Sequence, residues 1–208
     1  MQEDPKIVIL ANGSFPSARQ GLELLKQADL LICCDGAADQ LVEFGLEPGL
    51  IIGDLDSLSS RVWEKYKAST IQVVDQESND LTKAVRYCIK KGYAAVTILG
   101  ATGLREDHTL GNISLMLEYF PHIKVRMLSD YGVFFLVQSG ERIKSSAGEK
   151  ISIFSVDNRV RVSSAGLKYP LENLELTNWY RASLNEASSD SFTLQFDSDL
   201  PLIIYKAW

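Results

Sequence analysis

Cysteine is scarce in this chain and follows no pattern. Cys33, Cys34 and Cys88 make an odd count with no CxxC spacing, so neither a disulfide framework nor a zinc site is signalled. The adjacent Cys33 and Cys34 close an apolar run and read as small core residues rather than reactive thiols. Histidine is rarer still: His108 and His122 are the two, and His122, behind Pro121, reads as a surface residue. Positive charge is also short. Lys and Arg number 21 against 27 Asp and Glu, a net charge of -6, and no basic stripe is present to neutralise a phosphodiester backbone, which argues against nucleic acid as a partner. No apolar run approaches the roughly 20 residues of a membrane helix. The start, MQEDPKIVIL, lacks the basic region and cleavage site of a secretory leader. These absences lead to the expectation of a cytoplasmic protein with no membrane partner. Missing too are a GxxxxGK[ST] element, a GxGxxG fingerprint and a GxSxG elbow, which disfavours Walker-type hydrolases, standard dinucleotide binders and serine hydrolases.

What is present is an ordinary globular composition, 46% hydrophobic and 23% charged, in 208 residues, enough for one large domain or two small ones. From residue 6 to about 129, short apolar runs alternate with helical patterns: KIVIL, DLLICC, LIIG, TIQVV, AAVTILG and KVRML are separated by segments such as SARQGLELLKQ and NDLTKAVRYCIKKG. That alternation predicts βα units around a mostly parallel sheet buried on both faces. After residue 130 the runs GVFFLVQ, ERIKSS, KISIFSV, RVRVSS, FTLQF and PLIIYKA are short, partly alternating and separated by turn residues, which predicts an antiparallel sandwich or barrel. The expected fold is therefore α/β over 1–129, followed by a smaller all-β domain over 130–208. The polar stretch SLNEASSDS reads as an exposed loop.

In open α/β sheets ligands lie beyond the carboxyl ends of the strands, and polar groups gather after each predicted strand. In LIIGDLDSL, residues 50–58, Asp54 and Asp56 at i, i+2 can aim both carboxylates to one side. Hard oxygen donors of this kind suit magnesium beside a phosphate-bearing substrate, and equally suit helix capping or an Asx turn. In SNDLTKA, residues 78–84, Ser78 or Asn79 caps a helix whose Leu81, Val85 and Cys88 face inward. Asp80 and Lys83 then share its polar side, either as an exposed ion pair or with Asp80 joining the metal cluster and Lys83 meeting phosphate. In ILGATGLREDHTLGNI, residues 98–113, Gly100 and Gly103 permit close backbone approach, and Arg105 and helix amides suit phosphate. His108 and Asn112 fall one turn apart on that helix, opposite Leu110, Ile113 and Leu117.

The ordered set DGAAD (35–39), GDLDS (53–57), NDLTKA (79–84) and GLREDHTLGNI (103–113) resembles the thiamine pyrophosphokinase family, with GLKYPL (166–171) and SLNE (183–186) similar to its thiamine-binding β domain. The resemblance implies transfer of a pyrophosphoryl group from ATP to thiamine, giving thiamine diphosphate and AMP, with Mg2+ required. It implies that Asp54, Asp56 and Asp80 hold the metal, and that Asp35, Asn79 and His108 lie near the nucleotide. Lys83 and Arg105 would neutralise phosphate oxygens, and Asp107 would orient the hydroxyl or join the metal shell. It implies a homodimer with shared active sites, and Ser183 and Asn185 as contacts for the aminopyrimidine edge. The family's adjacent Ser-Asn is here interrupted by Leu184, and the tryptophan some relatives carry after a Pro-Leu-Leu is Ile204. Trp179 and Tyr180 could supply the wall for cationic thiamine, or serve as core or interface aromatics. Two rival expectations are a haloacid-dehalogenase-like phosphatase with Asp54 as nucleophile, and a non-catalytic nucleotide-binding protein.

Overall fold

Four consecutive aliphatic residues, Ile7–Leu10, are all buried, as a strand covered on both faces requires, and they form β1 at the centre of a parallel sheet. This computed structural model describes residues 4–208. The first three residues of the acidic start, on which the reading of a missing leader partly rests, lie outside the described residues. The chain divides into two compact units, Met1–Asp130 and Tyr131–Trp208.

In the first unit the elements after β1 are α1 (Arg19–Gln27), β2 (Leu30–Cys34), α2 (Ala37–Glu43), β3 (Leu50–Gly53), α3 (Ser60–Tyr66), β4 (Thr70–Gln72), α4 (Asp80–Lys90), β5 (Ala95–Leu99), α5 (Glu106–Tyr119) and β6 (Lys124–Ser129). The strands run parallel in the order β6-β5-β1-β2-β3-β4. The helices start for local reasons. The Asn79 side chain accepts the Thr82 N–H at 2.9 Å and caps α4, and Ser59 does the same for α3 through the Val62 N–H at 3.3 Å. α1 follows Ala18, which has no side-chain acceptor. Asp130 takes that part from 112 residues away, accepting the Ala18 N–H at 2.9 Å and the Ser17 N–H at 3.0 Å.

The second unit is a sandwich of two antiparallel sheets. One has the order β12-β9-β14-β7, with β7 Gly132–Val137, β9 Lys150–Phe154, β12 Ala182–Glu186 and β14 Leu202–Ala207. The other has the order β11-β10-β13-β8, with β8 Arg142–Lys144, β10 Arg161–Ala165, β11 Leu174–Glu175 and β13 Ser191–Phe196. Ile151, Ile153, Leu202 and Ile204 of the first sheet meet Val162, Phe192 and Leu194 of the second in one apolar cluster. Each such aliphatic side chain removed from water contributes about 1.5–3 kcal/mol.

Three expectations need correction. Ala182–Glu186 is not loop but the edge strand β12, with a register shift where Leu184 takes φ 59 and leaves its side chain 75% exposed. Leu110 does not face the core: it is 52% exposed, and α5 instead buries Ile113, Met116 and Tyr119. Of the two readings left open for Lys83, the exposed ion pair is the one that fails, the residue being only 5% exposed. All three cysteines are buried, and burial pushes their thiol pKa values up, which makes them unreactive.

Candidate active site

The strand order reverses between β1 and β5: the chain leaves β1 toward β2 and, after β4, crosses to the other side of β1. The loops beyond these two strands diverge there, and such a point opens a crevice at the carboxyl edge. A cleft of about 310 Å³ lies at that place, lined by Asn12 and Gly13 after β1, Gly100, Ala101, Thr102, Leu104 and Arg105 after β5, Asn79 and Asp80 at the start of α4, and His108 and Asn112 of α5. Its walls are laced by the main chain. The Gly13 N–H donates to the Gly100 carbonyl at 2.6 Å and the Ser14 N–H to the Thr102 carbonyl at 2.9 Å. Only glycine fits at this crossing, since a Cβ on Gly13 would stand 2.4 Å from the Gly100 oxygen and one on Gly100 would stand 2.5 Å from the Ala11 oxygen. Across the floor, Asn79 Nδ2 donates to Asn112 Oδ1 at 3.1 Å and Asn112 Nδ2 donates to the Ala101 carbonyl at 2.8 Å.

Next to this cleft lie the carboxylates. Asp35, the first residue after β2, lies in the left-handed region, φ 44, and Leu55 between Asp54 and Asp56 is there too, φ 73. Side chains seldom accept that conformation, and it is concentrated at working sites. Asp35, Asp54 and Asp56 each bring an oxygen within 4.8 Å of the others. Asp35 is 2% exposed. Its Oδ2 accepts the Ser57 N–H at 3.0 Å, while Oδ1 is the buried side-chain oxygen that has no hydrogen-bond partner among the described residues. Burial pushes the Asp35 pKa up to about 6; the Ser57 N–H opposes this and the Asp80, Asp56 and Asp54 charges reinforce it. Crowded acids with an orphaned buried oxygen fit a hard divalent cation, since ligation would satisfy both the charge and the lone pair.

Asp80, expected in the metal set with Asp54 and Asp56, is near but differently engaged. Lys83 Nζ donates to Asp80 Oδ1 at 2.8 Å and stands 3.7 Å from Asp54 Oδ2. Burial pulls the Lys83 pKa down, but the Asp80 hydrogen bond with the Asp80, Asp54 and Asp75 charges outweighs it and leaves the group raised and cationic. Asp35, expected only near the nucleotide, sits inside the acidic group. The packing of these residues depends on Gly53, the last residue of β3: a Cβ there would lie 2.8 Å from Asp35 Cβ and 3.3 Å from Asp80 Cγ.

Arg105 and His108 line the cleft, and Asp107 is tied to Arg105 rather than to the acidic group. Arg105 Nε donates to Asp107 Oδ1 at 3.1 Å and a terminal nitrogen donates to Oδ2. Arg105, with the His108 N–H, lowers the Asp107 pKa to about 2, so this carboxylate is ionised and a poor base. In the second unit, Ser183 Oγ donates to the Tyr180 carbonyl at 2.9 Å. Asn185 is 4% exposed and braces the neighbouring loop, accepting the Tyr169 N–H at 3.2 Å and donating to the Tyr169 carbonyl at 2.8 Å. Trp179 Nε1 donates to the Ser155 carbonyl at 2.9 Å, with its ring against Phe154, whereas Tyr180 is 79% exposed. The sequence reading missed two residues, Gly53 and the strut role of Asn112. The glycine immediately before the aspartate pair was the available signal for the first.

Comparison with known proteins follows the same division. Residues 22–127 match the family model described as thiamin pyrophosphokinase, catalytic domain, and residues 132–205 that described as thiamin pyrophosphokinase, substrate-binding domain. The chain is 27% identical over 193 residues to thiamin pyrophosphokinase 1 of Caenorhabditis elegans, spanning 85% of this chain and 79% of that protein. It is 28% identical over 156 residues to thiamine pyrophosphokinase of Bacillus subtilis, spanning 71% and 73%. The crystal structure of the thiamine pyrophosphokinase from Bacillus subtilis superposes with a TM-score of 0.80 at 25% identity over 97% of this chain and 98% of that one. Yeast thiamin pyrophosphokinase, at 19% identity, shares the fold with a TM-score of 0.81 over 100% of this chain and 88% of that one. Neither the phosphatase nor the non-catalytic expectation finds support among these matches. On the strength of both matched regions, this chain belongs to the thiamine pyrophosphokinase family.

Proposed function

We propose that this protein is a thiamine pyrophosphokinase, transferring the pyrophosphoryl group of ATP to thiamine to yield thiamine diphosphate and AMP. The hydroxyethyl oxygen of thiamine attacks the β-phosphorus and loses its proton. The bond from that phosphorus to the oxygen bridging the α-phosphate breaks, and AMP departs. Catalysis of this kind is mainly in-line positioning and charge neutralisation. The cleft beyond β1 and β5 receives the nucleotide, the glycine turn at 100–103 lets its backbone approach the phosphates, and Arg105 meets their oxygens. Asn79 and His108 border the same space. Asp54 and Asp56, with Asp35, would hold magnesium, which when bound would supply charge neutralisation to the phosphates. Asp107 keeps Arg105 in place through its two-point pairing. The second unit binds thiamine, with Ser183 and the exposed Tyr180 as first candidates. A homodimer in the cytoplasm is the working arrangement, resting on the family resemblance; among the described residues no helix is long and apolar enough to cross a membrane.

The observation that carries this reading is the acidic triad with the orphaned Asp35 oxygen beside the switch-point cleft. Incubation with ATP, magnesium and thiamine should release AMP and thiamine diphosphate in equal amounts, and no AMP without thiamine. Asp54→Asn and Asp56→Asn should each lower turnover by about 10²-fold or more, given the several kcal/mol a bound cation supplies. AMP release independent of thiamine, or full turnover in either variant, would overturn it.

A further inference from the structure

Leu104 stands 66% exposed on the wall of the cleft, between Gly103 and Arg105. The other apolar residues lining this space, Ala11, Cys34, Leu81 and Ala101, are each at most 7% exposed, so among the described residues Leu104 is the one apolar side chain of the lining that still faces water. Helix entry does not explain its place. Arg105 is the N-cap of α5, which puts Leu104 where an apolar residue can clasp the residue four positions beyond the cap. That residue is Thr109, which offers no large apolar partner, and its hydroxyl donates to the Arg105 carbonyl at 3.0 Å and accepts the Gly103 N–H at 3.4 Å. Those bonds brace the turn, and the Ser14 side chain lies beneath it, where a Cβ on Gly103 would meet Ser14 Oγ at 2.5 Å. Leu104 is therefore held out over the cleft by a fixed backbone. A single exposed leucine on an open surface is ordinary, but one on the wall of a concave site is apolar area that a ligand can cover.

We propose that Leu104 is a nucleotide-binding residue that packs against the face of the base. This rests on the reading above that the cleft receives the nucleotide. Asn12, Asn79, Arg105 and His108 present polar groups around the rest of the opening, which suit ribose hydroxyls and phosphate oxygens, and the base is the part of a nucleotide that has an apolar face. Contact between an aliphatic side chain and a ring face is an area effect without a donor or acceptor of its own. Leu104 thus separates nucleotides from base-free polyphosphates, a distinction that Arg105 and the acidic group do not make.

The test uses ATP and inorganic tripolyphosphate as probes, which differ by the adenosine, each titrated calorimetrically with magnesium into the full-length protein without thiamine. Leu104→Ala should bind ATP about tenfold more weakly, from the apolar area lost with the branched end of the side chain, and tripolyphosphate within about twofold of the unmodified protein. Leu104→Met restores apolar length and should return ATP affinity to within about threefold. In turnover, the loss in Leu104→Ala should appear in KM for ATP and not in KM for thiamine. A side chain this exposed adds little to folding, so the variants remain comparable with the unmodified protein. Unchanged ATP binding by Leu104→Ala overturns the proposal. So does an equal loss for both probes, which marks a displaced turn rather than a missing base contact, or a loss confined to tripolyphosphate. Absence of ATP binding in the unmodified protein overturns the nucleotide reading of the cleft itself, which separates the two failures.

Discussion

Substituting Gly53 by alanine adds a methyl group at the most crowded point of the acidic group. The new Cβ would sit 2.8 Å from Asp35 Cβ, more than half an ångström short of ordinary contact, and 3.3 Å from both Asp35 Cγ and Asp80 Cγ. Neither side can retreat easily. The Asp35 N–H is bonded to the Ile52 carbonyl at 3.0 Å, its side chain takes the Ser57 N–H at 3.0 Å, and the Gly53 carbonyl accepts the Val73 N–H at 2.8 Å. Overpacking of a site that cannot relax costs about 1–3 kcal/mol, and the upper part of that range is expected. The displaced carboxylates matter more for function, because misplacement approaching 1 Å costs on the order of 10²-fold in rate, and about 10- to 100-fold is expected here. Urea unfolding followed by far-UV circular dichroism measures the first effect and thiamine-dependent AMP release the second. Gly45→Ala is the control: its φ of +91 strains any side chain but nothing lies within 4 Å of the new Cβ, so stability falls by about 1 kcal/mol with turnover unchanged. If Gly53→Ala matches the unmodified protein within about 0.5 kcal/mol and retains full turnover, the proposed dependence of the acidic group on this gap is wrong.

Arg105→Ala should lower the rate of AMP formation about 10²-fold or more while changing thiamine affinity little; the reverse ordering would move Arg105 out of the phosphate site. The Asp130 pKa is lowered: burial acts to raise it, but the Ser17 hydroxyl and the Ala18 and Ser17 N–H groups prevail. Its contribution is therefore complete above the ordinary carboxylate value of about 3.9 and disappears as pH falls through the lower folded value. Asp130→Asn should cost about 1 kcal/mol at pH 7 and progressively less as the pH falls through the lowered folded value, read by urea unfolding across the acid range, and a loss that does not shrink with falling pH would refute the capping role. Asn185→Ala leaves the Tyr169 N–H and carbonyl and the Glu186 N–H without their partner. A loss of about 1–3 kcal/mol is expected by the same measurement, and no loss would mean that solvent replaces those bonds freely.

The parallel half of the fold was legible because strands covered on both faces are written as unbroken apolar runs, such as KIVIL and DLLICC. β12 was not, since an edge strand exposes alternate residues and its left-handed Leu184 breaks the two-residue period. The burial of Lys83 escaped for a different reason. Helical periodicity sets Asp80 and Lys83 apart from Leu81 and Val85, but it does not say that the polar side of α4 faces Asp54 rather than water. Likewise, Asp35 and the aspartate pair are 19 or more positions apart in the chain. Their meeting follows from β2 and β3 lying side by side, a fact of sheet order that local pattern does not encode.

The crossing of the two glycine turns beyond β1 and β5 makes them a single mechanical part. Because each turn occupies the space a side chain on the other would need, neither glycine can be exchanged by itself, and compensation would require both loops to be rebuilt at once. The mouth of the cleft therefore keeps one aperture, and the nucleotide proposed for it would have to conform to that opening.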